Sequence, residues 1–307
     1  YGVAGFSLTA IGLGVVCAVQ VHGIGIARAH GLNGGVSASI QLATVLFGLA
    51  LVALVRMLDA GTPRGERMLH GLAAASAMYG ALLTQSRGPL LAFLPAFLVL
   101  ALVQARRRGR WRNGALCLAF ALGAGAVAML GMHGQMLARF SAIPTEVASF
   151  EQAPGAPGAV RERLEMWQVA TRAFLAHPLA GIGSGAFNGY VRGEIAAGRA
   201  SASIAHYNQP HNEYLDAAAS GGIAGLASVL LAFALPLLFF LRRIGAADPE
   251  IAQPARAGFA ITLLYALCAL TDGVFYRVMT QSFYFFMVIG LAVRIGWCER
   301  RLVAGAH

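Results

Sequence analysis

Apolar residues come in blocks along this chain, separated by short polar breaks. A membrane-spanning helix needs roughly 17–25 such residues, and blocks of this kind lie at 3–27, 37–57, 67–85, 88–104, 113–132, 215–241, 256–274 and 279–297. The two-residue alternation of a membrane barrel is missing. The pattern therefore predicts an all-α, polytopic membrane protein with about eight transmembrane helices. About five form an N-terminal transmembrane bundle (1–132) and about three lie at the C-terminal end (211–307), with a large, more polar loop between them (133–210). The chain starts at Tyr1 inside an apolar stretch, with no basic segment or cleavage site before it. That predicts an N-terminally truncated sequence, with earlier helices ahead of it.

Within the loop the pattern changes twice. Glu151-Gln152-Ala153-Pro154-Gly155-Ala156-Pro157-Gly158 is too rich in Pro and Gly for a helix. From Val160 to Ala176, Leu164, Trp167, Val169, Ala170, Phe174 and Leu175 form one apolar face, with Arg161, Arg163, Glu165, Gln168 and Arg172 on others. This predicts an amphipathic helix lying on the membrane or across the helix bundle. It ends at His177-Pro178, because a residue before proline disfavours the helical region. The Gly181–Gly185 turn that follows lacks the Lys-Ser/Thr of a nucleotide loop and comes after a helix. It suits a close approach of backbone to a ligand or to another helix.

Composition strengthens the membrane reading. Charged residues make up 12% and hydrophobic ones 58%, against roughly 25% charged in soluble domains. The net charge of +10 comes from arginine alone, since the chain has no lysine. Arg106-Arg107-Arg108 with Arg110 and Arg112, Arg242-Arg243, Arg300-Arg301, and Arg56 with Arg64 and Arg67 all flank apolar blocks in short loops. The positive-inside rule places these loops in the cytoplasm and the long loop outside. Such short separate groups do not form a nucleic-acid surface. Cys17, Cys117, Cys268 and Cys298 have no Cys-x-x-Cys spacing and read as buried free thiols, with no metal site.

Chemistry is expected at the outer face. Arg87 in Ser86-Arg87-Gly88-Pro89 is a phosphate ligand or a helix-end arginine that snorkels to headgroups. Arg161 and Arg163 open the amphipathic helix, where the helix dipole adds to their attraction for an anion. Surface ion pairs with Glu162 or Glu165 are the other reading. Arg277, in Phe275-Tyr276-Arg277, is a weaker candidate of the same kind. His211 in Pro210-His211-Asn212-Glu213-Tyr214 ends the loop where the chain turns apolar. Asn212, Glu213 and Asp216 stand close enough to fix its tautomer, and imidazole exchanges a proton near neutral pH. His211 is thus the candidate general base.

These residues resemble a known family. His211-Asn212, nine residues, Gly222, two residues and Gly225 resemble the histidine motif of bacterial O-antigen ligases. Arg163-Leu164-Glu165-Met166-Trp167 and His177-Pro178-Leu179-Ala180-Gly181-Ile182-Gly183 resemble the large periplasmic loop of the superfamily of O-antigen ligases, polymerases and protein O-oligosaccharyltransferases. Ser86-Arg87-Gly88 is similar to that superfamily's membrane-edge arginine.

The resemblance implies a GT-C-like glycosyltransferase of lipopolysaccharide biosynthesis in the bacterial inner membrane, with its active site facing the periplasm. The donor would be a glycan on undecaprenyl diphosphate and the acceptor a sugar hydroxyl of lipid A–core, with membrane lipids around the spans. Transfer would be inverting and need no metal, nucleotide or other cofactor. His211 would be the catalytic base, and Arg87 with Arg161 or Arg163 would bind the diphosphate. Trp167, Asn212, Glu213, Asp216, Gly222 and Gly225 would support the site. Polymerase and protein O-oligosaccharyltransferase activities share this chemistry. A lipid-linked glycan transporter, the reading from a different class, would need charges through several helices, and the apolar blocks hold few.

Overall fold

The computed structural model describes residues 2–33, 36–59, 61–108 and 159–304. The expected span at 113–132, the stretch 151–158, Arg110, Arg112 and Cys117 lie outside them. The described elements are all helical. They are α1 (Gly2–Ala18), running into a π-helical turn (Val19–Gly23), α2 (Val36–Met57), α3 (Arg64–Leu83), α4 (Arg87–Arg108), α5 (Ala159–Ala176), α6 (Phe187–Ala196), α7 (Glu213–Leu241), α8 (Pro249–Cys268) and α9 (Val278–Ala304). Two short 3-10 turns cover Gly31–Asn33 and Ala202–Ile204. Five described segments are long and apolar enough to cross a membrane: Ala4–Gly23, Ala38–Met57, Glu213–Leu241, Pro249–Cys268 and Val278–Ala304. In α4 the apolar part is the shorter Arg87–Leu102, and α3 carries Arg64, Glu66, Arg67 and His70. The chain is a multi-pass helical membrane protein.

By internal contacts the chain forms two compact units. The first contains α1 to α4, the end of α7 from Leu235, α8 and α9. Its centre is α2, whose side chains from Leu42 to Val55 are buried apart from Gly48's missing one, and which packs on α1, α3, α4, α8 and α9. Leu91, Leu94, Leu98 and Leu102 on α4, and Phe286, Ile289 and Val293 on α9, remain exposed. Apolar stripes at three- and four-residue spacing on such helices are surfaces for lipid.

Polar residues tie helix ends together in this unit. Arg56 pairs with Gln253 and Glu66, Gln253 in turn donates to Asp59, and Arg243 pairs with Glu299. These are ends that the arginine pattern assigns to one side. Before α4, Arg28 Nε donates to Thr84 O at 2.9 Å and Gln85 Nε2 donates to Ala27 O at 2.7 Å, which fixes the turn leading into Arg87. Cys17, Cys268 and Cys298 are buried free thiols.

The second unit contains α5, α6, α7 as far as Ala234, and the segment Ala269–Tyr276. Met166, Val169, Ala170 and Ala173 of α5 pack with Phe187, Val191, Ile204 and Ala219. The helix expected at 160–176 therefore forms, but its apolar stripe serves this core. Its buried positions follow the i, i+3, i+4, i+7 repeat from Met166, which leaves Leu175 69% exposed. Buried Glu194 of α6 binds Arg172 of α5 at 2.7 Å and Arg199 at 2.6 Å.

A backbone junction joins the chain after α5 to α7. Gly222, at φ 60° and ψ −149°, interrupts α7 and frees the carbonyls before it. Ile182 N then donates to Ala219 O at 2.8 Å, Gly183 N to Ser220 O at 3.0 Å, and Ile223 N to Pro178 O at 2.8 Å. A Cβ on Gly222 would stand 2.5 Å from the carbonyl oxygens of Pro178 and Leu179, and one on Gly181 2.4 Å from Ser220 O. The glycine-rich turn thus meets another helix, as one of its two expected uses requires.

Candidate functional site

Asn212 begins the site. Its Oδ1 accepts from Leu215 N at 3.0 Å and caps α7, the arrangement that favours Asn just before a helix. Its Nδ2 reaches Leu270 O at 3.1 Å. Glu213, the first helical residue, donates its N–H to Ala269 O at 2.8 Å and accepts from Phe275 N at 2.9 Å through its side chain. The start of α7 and the 269–276 segment are thereby clamped together. This is why α8 ends at Cys268, short of the 274 that its apolar block predicts: the carbonyls of Ala269 and Leu270 are bonded to α7.

The clamp carries Asp272 to His211, with Nδ1 and Oδ1 2.8 Å apart. An ionised carboxylate only accepts, so Nδ1–H is the donor and Nε2 is left as the imidazole's acceptor. Sequence spacing assigned this tautomer control to Asn212, Glu213 and Asp216. Asn212 and Glu213 are instead occupied by the clamp. Asp216 lies near enough to feel the histidine's charge, but the hydrogen bond is made by Asp272. Helical spacing from His211 does not apply, because His211 precedes α7 and has left-handed backbone, φ 52°. Such a conformation costs about 1–3 kcal/mol and is found where surrounding contacts enforce it, often at functional sites.

One of those contacts comes from α5 and another from the loop just before the histidine. Trp167 Nε1 donates to Pro210 O at 3.0 Å, holding the residue before the histidine. The Tyr207 and His211 rings pack in a T-shaped arrangement, with centroids 5.5 Å apart and planes at 87°. The Tyr207 hydroxyl donates to Glu162 Oε2 at 2.6 Å. Burial, then the hydrogen bond and charge of Glu162, push the Tyr207 phenol up to about 12, while the nearby Arg163 charge acts the other way.

The two arginines of α5 differ. Arg161 is 4% exposed, whereas Arg163 is half-buried on the side of Tyr207 and makes no ion pair among the described residues. Of the carboxylates beside them in sequence, Glu162 accepts from the Tyr207 hydroxyl and Glu165 from the N–H and hydroxyl of Ser201. Gly225 allows the two halves of α7 to approach across the Gly222 kink, since a Cβ there would stand 2.3 Å from Ala217 O. Arg87, the first residue of α4, and Arg277, just ahead of α9, belong to the other unit. Among the described residues no three His, Cys, Asp or Glu side chains gather as a metal site would require.

Asp272, Tyr207 and Glu162 were not among the sequence candidates. A detectable signal existed for Asp272, a carboxylate inside an apolar block, where charge is rare and usually functional. None existed for Tyr207, whose role depends on a contact with a distant helix.

The family model for O-antigen ligase matches residues 72–230, more than half of the chain. An uncharacterized protein of Haemophilus influenzae is 20% identical over 112 residues, 36% of this chain, and the match spans 28% of that protein's length. The family match runs from α3 to α7 and takes in Arg87, α5, the His211 turn and the Gly222 junction. The chain belongs to the O-antigen ligase family.

Proposed function

We propose that this member of the O-antigen ligase family is an inverting, metal-independent glycosyltransferase. It moves a glycan from undecaprenyl diphosphate to a sugar hydroxyl of lipid A–core at the periplasmic face of the bacterial inner membrane. The observation that carries this reading is the His211–Asp272 pair at 2.8 Å, on a positive-φ turn that Trp167 and Tyr207 also hold.

In the reaction, Nε2 of His211 takes the proton of the acceptor hydroxyl. The oxygen attacks the anomeric carbon on the face opposite the diphosphate, so that the new C–O bond forms as the old one breaks. Undecaprenyl diphosphate leaves with the electron pair. Asp272 stabilises the imidazolium that results, in the way a carboxylate supports histidine in hydrolytic triads. Charge grows on the leaving diphosphate, and fixed guanidinium groups can stabilise it without a metal ion. Arg163 is the first choice in α5 because it is the more exposed of the two and makes no ion pair among the described residues, with Arg161 two positions before it. Arg87 is a diphosphate ligand in this reading on the strength of its motif alone. A cation at a helix N-terminus opposes the helix dipole, so its place in α4 serves an anion better than it serves the helix.

The test is to incubate purified protein with lipid-linked glycan and rough lipopolysaccharide in a chelator without nucleotide. A ladder of high-mass lipopolysaccharide is the expected product. Longer undecaprenyl-linked chains would instead mean a polymerase, and glycan on added protein an O-oligosaccharyltransferase. Glycan crossing a liposome membrane without transfer would overturn the enzyme reading in favour of a transporter.

A further inference from the structure

We propose that Tyr207 is a positioning residue that couples the arginine-bearing turn of α5 to His211. The inference rests on the general-base reading of His211 and adds a means by which donor binding and base placement depend on each other.

Tyr207 is held on every side that matters. Its carbonyl accepts from Asn188 Nδ2 at 2.8 Å, and the same amide holds Ala205 O at 2.9 Å. His206 lies against its ring, centroids 4.0 Å apart, and the His211 ring stands nearly perpendicular to it. The hydroxyl is fastened to Glu162, which lies between Arg161 and Arg163 in sequence. Its phenol stays protonated through the working pH range, so it remains the donor in that bond. A second tie runs in parallel, from Trp167 Nε1 to Pro210 O. Two points on α5, more than a turn apart, therefore grip the histidine turn. A shift of α5 as Arg163 engages an anion is passed to the imidazole through the tyrosine ring.

The coupling separates Tyr207's two parts. The hydroxyl acts on α5 and hence on donor engagement, and the ring acts on His211 and hence on the chemical step. In the transfer assay, Tyr207→Phe is expected to raise the donor KM about threefold to tenfold with kcat within about twofold of wild type. Tyr207→Leu loses the ring contact as well, and its kcat is expected to fall about tenfold or more. Glu162→Gln keeps an oxygen for the hydroxyl and should restore most of what Glu162→Ala loses.

Residues that act through one another are non-additive. The Arg163→Ala/Tyr207→Leu double variant should thus lose clearly less than the product of the two single losses. Unchanged kcat in Tyr207→Leu, or multiplicative losses in the double variant, would overturn the proposal. Tyr207→Phe preserves the packed ring, so its KM effect is readable even if Tyr207→Leu fails to fold. His211→Ala run in parallel separates the two levels. Full activity there removes the base reading itself, whereas inactive His211→Ala beside normal Tyr207→Leu removes only the coupling.

Discussion

The bundle around α2 and the unit around His211 are assembled by different forces. In the bundle, Leu46, Phe47, Leu51 and Leu54 are buried among side chains of similar chemistry, and each contact can be replaced by another of similar size. In the His211 unit, single hydrogen bonds join residues far apart in the chain: Trp167 to Pro210, Asn212 to Leu270, Glu213 to Phe275 and Pro178 to Ile223. Each of these is a directional contact between two particular groups. Single substitutions should therefore have local effects on packing in the first unit and large effects on function in the second.

The sharpest case is His211→Ala, with Asp272→Asn beside it. Loss of a positioned base is expected to slow transfer by about 10²–10⁴-fold. Asp272→Asn keeps the shape but removes the charge that supports the imidazolium, and should slow transfer by about tenfold to a hundredfold. Both residues belong to the second unit, so the core of the bundle keeps its packing and thermal unfolding of the purified protein should move little. A stability loss as large as the activity loss would show that the two units are not as different as their contacts suggest.

Next in size is a pair of glycine substitutions. Gly222→Ala must place a Cβ against two carbonyl oxygens at φ 60°, a strain of about 1–3 kcal/mol before the clash is relieved. Gly290 in α9 has open space around its Cβ position, and Ala there is favoured by up to about 1 kcal/mol in a helix interior. Thermal unfolding in detergent should fall for the first and hold or rise for the second. Equal losses would mean that the bundle is as exacting as the junction.

How much of this could be read from the sequence follows the same division. Apolar blocks located α2, α4, α7 and α9, because burial in a bilayer is recorded residue by residue. The end of α8 was misplaced: Ala269 and Leu270 are as apolar as a span requires, and what removes them from the helix is bonding to residues more than fifty positions earlier. Motifs singled out His211, Asn212 and Trp167. Asp272 was missed and Asp216 given its hydrogen bond, because the expected spacing assumed that His211 sat in helical register. Its positive φ, set by neighbours on other elements, could not be read from composition or period.

Glu194 gives a third comparison, through pH. The hydrogen bond from Arg199 lowers its pKa first, burial opposes this, and Arg172 adds to the lowering. A carboxylate depressed on folding stabilises the native state above its unfolded value, about 4.3, and loses that contribution as pH falls through the folded value. Glu194→Gln should thus cost about 1–2 kcal/mol at neutral pH and little at acid pH. Melting temperatures of variant and wild type should converge as the solution is acidified. A constant gap would mean that the charge is not what binds α6 to α5.

The smallest effect should come from the same chemistry in the other unit. Arg294 and Glu250 pair at 2.9 Å between α9 and α8, with side chains 43% and 59% exposed. Water already solvates both groups, and holding two long side chains in one geometry costs entropy. Exposed pairs of this kind are worth about 0.2–1 kcal/mol. Arg294 also lies over the Trp297 ring at 4.9 Å, as does Arg301 at 3.7 Å, so the aromatic face keeps a cation when Arg294 is removed. Arg294→Ala should therefore shift the melting temperature less than Glu194→Gln does at neutral pH, with transfer unchanged. The small loss should shrink further in high salt, which screens exposed charges much more than buried ones. If Arg294→Ala proved as damaging as Glu194→Gln, and salt made no difference, the α8–α9 contact would depend on its charges as strictly as the His211 unit depends on its hydrogen bonds.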